Sequence, residues 1–320
     1  MLTIDADTVH RLLAYPALID ALEEAHRGEQ PLIERALLHG PDPGVHAGES
    51  FLVLPAWVPG RAMGVKMATV IPRNTELEPA KPAIHASYQL FDGDCGVPVA
   101  TIDGAALTLR KTAADSALGA RLLAPETAET LLMVGAGAMA PHLVAAHRAA
   151  RPGLKRVLVW NRSGDRRDAL IEALRAEDID ADPVGELRDG VAAADIVSAA
   201  TASMEPLIRG EWLHAGQHID LVGSFNPSMR ETDDECVRRA SLFVDIRLST
   251  VEAAGDLYRP ITDGVIGPDD VLADLFELCS GRHPGRTSSE EITLYKNGGG
   301  GHLDLFAAEH TCREYRNAPA

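Results

Sequence analysis

The sequence predicts an α/β protein in which a Rossmann-type, doubly wound parallel sheet follows a smaller α+β region. Three observations predict it. From Thr130 onward, apolar strands alternate with helices at short spacing, the pattern of βαβ units. The first of those strands runs into Gly135-Ala136-Gly137-Ala138-Met139-Ala140, a Gly-x-Gly-x-x-Ala turn at the head of a helix. Before it, short apolar runs bounded by Gly, Pro and Asp read as antiparallel strands. With 320 residues, 46% of them hydrophobic, the chain can fill two separate cores.

Residues 7 to 28 carry apolar positions at helical spacing with Pro16 as a break, which predicts two short amphipathic helices. The runs ALLHG, SFLVLPAW, AMGVKMATVIP, ASYQLFD and VPVATID then predict a mainly antiparallel sheet, with DGDCG as a hairpin turn. From Leu107 to Leu123 good helix formers return with Ala and Leu on one face, a helix placed to join the two domains. Strands follow at TLLMVGAGAM, RVLVWN, ADIVSAAT, HIDLVGS and LFVDI, with helices at APHLVAAHRAA and DRRDALIEALRAE. The tail, ITLYKNGGGGHLDLFAAEHTCREY, reads as a strand, a glycine run and a helix that returns to the first domain.

Composition excludes several classes of function. A formal net charge of −17 disfavours nucleic acid, whose phosphates are bound by clustered Lys and Arg. No apolar run is long enough to span a bilayer, and the N-terminus has neither a basic nor an apolar leader segment, so no membrane partner is expected and the cytoplasm is the expected compartment. Cys95, Cys236, Cys279 and Cys312 stand far apart with no Cys-x-x-Cys pair and no histidine at ligand spacing. Neither a disulfide framework nor a metal site is expected.

The glycine turn is the expected cofactor site. Gly135 permits a tight turn, Gly137 lets backbone approach a pyrophosphate, and Ala138 and Met139 open the helix whose free N–H groups would face that pyrophosphate. At the end of the second strand, Asn161, Arg162 and Ser163 stand where an NAD site usually has a carboxylate for the ribose hydroxyls. Arg162 and Ser163 can donate to a 2′-phosphate, so NADPH is expected, with NADH left open. In the first region, Lys66 lies inside an apolar run, and Arg110 and Lys111 lie near the start of the joining helix. A strand lysine ordinarily reaches for solvent, whereas an arginine offers a carboxylate a two-pronged fork. Gly298 to Gly301 would allow close backbone approach to a ligand, or serve only as a turn.

The blocks GVKMATVIPRN, DGDCGVPVATIDGAALTLRKTAADSALGA, VGAGAMA, VWNRS and VGSFNPSMRETDDE, in this order, resemble the ornithine cyclodeaminase/mu-crystallin family over nearly the whole chain. The resemblance implies a split α+β substrate and dimerisation domain, residues 1–118 completed by about 303–320, around a Rossmann domain at 119–302, in a homodimer. It implies hydride chemistry at an amino-acid Cα. Lys66 matches the active-site lysine that contacts the substrate carboxylate, Arg110 the carboxylate-binding arginine, and Arg35, in a less certain block, a further arginine near the substrate. Thr112, Ala136 to Ala140 and Ser224 fall in cofactor blocks. Phe225 departs from the cyclodeaminases, which carry a proton-shuttling aspartate there. A phenyl ring cannot move protons, so the implied reaction is reduction of an existing C=N bond, as in Δ1-pyrroline-2-carboxylate or Δ1-piperideine-2-carboxylate, with Phe225 against the ring. The proton would come from Lys66, a water or the protonated imine itself. Ornithine cyclodeamination, alanine dehydrogenation and non-catalytic NADPH binding of the crystallin kind are the alternatives.

Overall fold

The computed structural model describes residues 1–40, 46 and 48–318. Contacts divide the chain into two compact units, one of Met1–Ala25, Glu29–Lys111 and the chain from Gly300 on, the other of His26–Gly28 and Thr112–Gly299. The limits expected after residues 118 and 302 fall instead after Lys111 and Gly299. The first division lies inside one uninterrupted helix, Gly104–Leu123, so no change of pattern marks it in the sequence.

The first unit opens with β1 (Leu2–Ile4), α1 (Ala6–Leu12) and α2 (Tyr15–Arg27). The Asp5 side chain caps α1 by accepting from the Thr8 N–H at 2.9 Å, and Pro16 sits in the first turn of α2, where a missing N–H costs nothing. The strands β2 (Leu32–Ile33), β3 (Ala36–His39), β4 (Ser50–Val58), β5 (Ala62–Val70), β6 (Ile84–Asp92) and β7 (Pro98–Asp103) join β1 in a sheet of order β1-β7-β6-β5-β4-β2, with β3 also on β4. Every pairing is antiparallel except β1 on β7. DGDCG is the β6–β7 turn: Asp92 Oδ1 accepts from the N–H groups of Asp94 and Cys95, and Gly96 takes φ +70°.

One face of this sheet is covered by the C-terminal helix, Gly301–Asn317, which packs on β4, β5 and β6. Side chains of β5 alternate accordingly. Ala62, Gly64, Lys66 and Ala68 are buried under the helix, while Met67 is exposed on the other face. Lys66 therefore points inward, contrary to the ordinary habit of a strand lysine. Gly64 leaves room for Tyr88, whose hydroxyl would lie 2.2 Å from a β-carbon at that position.

The helix α3 (Gly104–Leu123) leads into the second unit, built from β8 (Thr130–Val134), α4 (Met139–Ala150), β9 (Arg156–Trp160), α5 (Gly164–Ala176), β10 (Asp180–Pro183), α6 (Leu187–Ala193), β11 (Ile196–Ala199), β12 (His218–Leu221), α7 (Asp234–Arg239), β13 (Ser241–Val244), α8 (Arg247–Ala253), α9 (Gly255–Thr262), β14 (Val271–Asp274), α10 (Leu275–Cys279) and β15 (Thr293–Lys296). Among the described residues its sheet has eight strands, all parallel, in the order β10-β9-β8-β11-β12-β15-β13-β14. The last strand in sequence thus lies inside the sheet. The chain reverses direction across the sheet between β8 and β11, the switch point at which such folds bind dinucleotides.

The strands bury continuous apolar runs, as parallel strands covered on both faces must. Several polar side chains inside this core have partners across it. Asp220 on β12 accepts from Ser198 Oγ at 2.6 Å and lies 3.0 Å from His147 Nε2 of α4; His218 Nδ1 lies 2.9 Å from Thr293 Oγ1. The carboxyl end of α3 is held by two arginines: Arg151 donates to the carbonyls of Arg121 and Ala124 at 2.6 and 2.9 Å, and Arg286 Nε to that of Leu123 at 2.6 Å.

Candidate active site

In the second unit the parallel strands bring their carboxyl ends to one edge, so the turns after β8, β9, β11 and β12 meet there. Gly135 has φ +110°, and a β-carbon would come within 2.7 Å of the Ala200 carbonyl; only glycine fits. Around Gly137 the place of a β-carbon is open space, so a ligand can reach the backbone. No side chain caps α4 at Ala138, and Met139 begins the helix, leaving its first turn suited to a phosphate. Ala140 is buried against the strands. These residues fit a dinucleotide.

The neighbouring candidates divide. Asn161 braces the turn, its Oδ1 accepting from Ala136 N–H at 3.2 Å and its Nδ2 donating to the Ser163 carbonyl at 2.9 Å. Ser163 caps α5, accepting from Arg166 N–H at 3.4 Å. Arg162 between them is exposed. Thr112 is buried, and its carbonyl accepts from Asn297 Nδ2 at 2.9 Å. Ser224 is buried and donates to the Met229 carbonyl at 2.9 Å, whereas Phe225 beside it is 60% exposed.

A buried knot ties the loops of this edge together. Glu231 accepts from the Thr201 N–H and hydroxyl at 2.8 and 2.9 Å and from the Gly223 N–H at 2.7 Å. Asp256 accepts from the Glu231 N–H at 2.7 Å and lies 3.5 Å from Lys296 Nζ, which donates to the Leu221 carbonyl. Burial and the Asp256 carboxylate push Glu231 up to about 7, against the pull of Lys296 and the Thr201 donors. Nothing in the local sequence marks Glu231, Asp256 or Lys296 as partners.

In the first unit Lys66 is 6% exposed and its Nζ lies 2.8 Å from Asp304 Oδ2 and 3.5 Å from Thr108 Oγ1. Lys111, one helical turn beyond Thr108, places its Nζ 3.7 Å from the other oxygen of Asp304. Arg110 has other partners. Its Nε donates to His10 Nδ1 at 3.0 Å, and its guanidinium stacks 4.8 Å over the Tyr15 ring. Burial and the Arg110 charge hold His10 below its usual value, which keeps the ring able to accept; burial pushes Tyr15 up to about 12. Arg35 is exposed between β2 and β3, and among the described residues no hydrogen bond or ion pair joins it to Lys66 or Arg110. Asp304, Thr108, His10 and Tyr15 were not among the expected site residues. Asp304 had one signal, an acid set within the apolar stretch HLDLFAA.

The model of the ornithine cyclodeaminase/mu-crystallin family matches residues 5–314. A Δ1-pyrroline-2-carboxylate reductase of Paracoccus denitrificans is 40% identical over 301 residues, covering 94% of this chain and 93% of the relative. The structure of Thermococcus litoralis Δ1-pyrroline-2-carboxylate reductase in complex with NADH and L-proline superposes with a TM-score of 0.91 at 26% identity, covering 99% of this chain and 98% of that one. A probable ornithine cyclodeaminase from Bordetella pertussis superposes with a TM-score of 0.83 at 30% identity, covering 100% and 99%.

Proposed function

Because the chain belongs to the ornithine cyclodeaminase/mu-crystallin family, we propose that it is an NAD(P)H-dependent ketimine reductase that converts Δ1-pyrroline-2-carboxylate to L-proline, and Δ1-piperideine-2-carboxylate to L-pipecolate. The observation that carries the reading is Phe225. An exposed apolar ring follows β12 on the cofactor edge, where deamination of a linear diamine would require a carboxylate to shuttle protons. Reduction of a preformed imine requires less. A bound nicotinamide would supply the hydride for the imine carbon, and the chain has only to hold the substrate carboxylate and exclude competing geometry.

Lys66 and Arg110 are the proposed carboxylate holders, and Phe225 the surface against the ring. An imine that enters protonated at nitrogen brings its own proton, so no further acid is required of the chain. Arg162 is proposed to face a 2′-phosphate, which favours NADPH. We place the enzyme in the cytoplasm, a reducing compartment that suits Cys95, Cys236, Cys279 and Cys312, which form no disulfide among the described residues. No helix among the described residues is long and apolar enough to cross a membrane. A homodimer is proposed on the sheet face opposite the C-terminal helix, where Leu32, Leu38, Phe51, Trp57 and Met67 are exposed side by side.

The test is oxidation of NADPH and of NADH by purified protein with the two cyclic imines, beside reactions with ornithine and alanine. Imine-dependent turnover is expected. Ammonia release from ornithine at a comparable rate defeats the proposal, and tight NADPH binding without turnover points to a binding protein. Arg162→Ala should weaken NADPH far more than NADH; equal effects on both remove Arg162 from the 2′-phosphate.

A further inference from the structure

Asp304 belongs to the first turn of the C-terminal helix, fully buried, and it is the acid that meets Lys66. The helix that carries it begins directly over β4. Gly300 starts the helix, and a β-carbon on Gly301 would stand 3.4 Å from the Pro55 carbonyl and 3.7 Å from the Leu54 β-carbon. The helix thus starts within van der Waals reach of β4, and Asp304 stands within reach of Lys66 on the neighbouring strand. A carboxylate near a helix start is also favoured by the positive end of the helix.

The pairing has a chemical cost that a purely structural account leaves unexplained. A carboxylate 2.8 Å from a lysine competes with any substrate carboxylate for that lysine's charge. Its gain is order. A lysine ammonium is a point charge on a flexible four-carbon stem, and a buried one without a counter-charge is unstable. Thr108 at 3.5 Å and Asp304 at 2.8 Å restrain it from two sides.

Building on the ketimine-reductase reading, we infer that Asp304 is the positioning residue of the substrate site: it fixes the Lys66 ammonium for the carboxylate of the imino acid and acts on catalysis through Lys66 alone. Lys111, 3.7 Å away, steadies the second oxygen of the same carboxylate.

The experiment compares wild type, Asp304→Asn, Asp304→Glu, Lys66→Met and the double variant Lys66→Met/Asp304→Asn. KM and kcat for Δ1-pyrroline-2-carboxylate, L-proline binding to the NAD+ complex by calorimetry, and NADPH binding by fluorescence are measured for each. Asp304→Asn should raise KM about tenfold or more and leave NADPH affinity within about twofold. In the Lys66→Met background it should add less than about twofold, because both changes remove one interaction. Asp304→Glu should recover part of the loss. Unchanged kinetics in Asp304→Asn, or an equal effect with and without Lys66, overturns the inference. If Asp304→Asn fails to bind NADPH, Asp304→Glu is compared in the wild-type and Lys66→Met backgrounds, and an equal effect on KM and L-proline binding in both overturns the inference. A wild type that reduces no imine defeats the functional reading, while the order of L-proline affinities still decides the role of Asp304. A wild type that binds no L-proline either overturns both.

Discussion

His218 on β12 shows how one buried side chain links the core to solution conditions. Burial pushes its ring down from 6.5 to about 3, with the Asp220 carboxylate only partly opposing this. The unfolded chain takes up a proton near 6.5 and the folded one refuses it until about 3, so the contribution to stability is whole above 6.5 and is lost as pH falls toward 3. At pH 5 the loss is about 2 kcal/mol. Tm should fall between pH 7.5 and 5, and His218→Gln should flatten that limb; an unchanged slope in the variant clears His218 of the effect. Arg110 is the second residue to test. Held by His10 and Tyr15, it is pre-set as a fork, and Arg110→Ala should raise KM and lower kcat together by about tenfold or more in kcat/KM. Kinetics like those of wild type remove it from the site.

Among the elements, α3 depends on arginines from elsewhere in its unit for the carbonyls at its end. Arg286 donates to Leu123, Glu291 and Gln217 carbonyls and to Thr293 Oγ1, so Arg286→Met leaves several acceptors without a donor. A loss of about 2–3 kcal/mol is expected, read as a lowered denaturant midpoint with secondary structure retained. A midpoint within error of wild type refutes the capping role. Elements with a clear period over many residues were legible in the sequence: β4 to β7, α3 and the β8-α4-β9 unit. Among shorter ones, β3, β11, β12, β13 and β15 stood out as apolar runs, and others did not. β1 has three residues, β10 alternates acids with Ala181 and ends in Pro183, and α6 to α10 run five to eight residues, less than a window in which helical spacing stands out. The seat of β15 between β12 and β13 is a pairing of distant segments with no local mark. The site divides in the same way. The glycine turn is contiguous and was read directly, whereas the inward aim of Lys66 depends on Asp304 at the far end of the chain.

At the scale of the molecule, the proposed homodimer rests on the exposed apolar sheet face of the first unit. Trp57→Asp, at its edge, should shift the mass in light scattering from dimer to monomer while leaving NADPH binding intact; a wild type that is monomeric at micromolar concentration ends the homodimer proposal. The order of strands has another outcome. β15 occupies an interior place in the second unit's sheet, and the helix after it covers the first unit's sheet. A nascent chain on the ribosome therefore has neither core closed until β15 and the helix after it have been translated, and holds two unfinished apolar surfaces until then. A premature stop before Thr293 would leave both halves of the product open to aggregation and proteolysis at once.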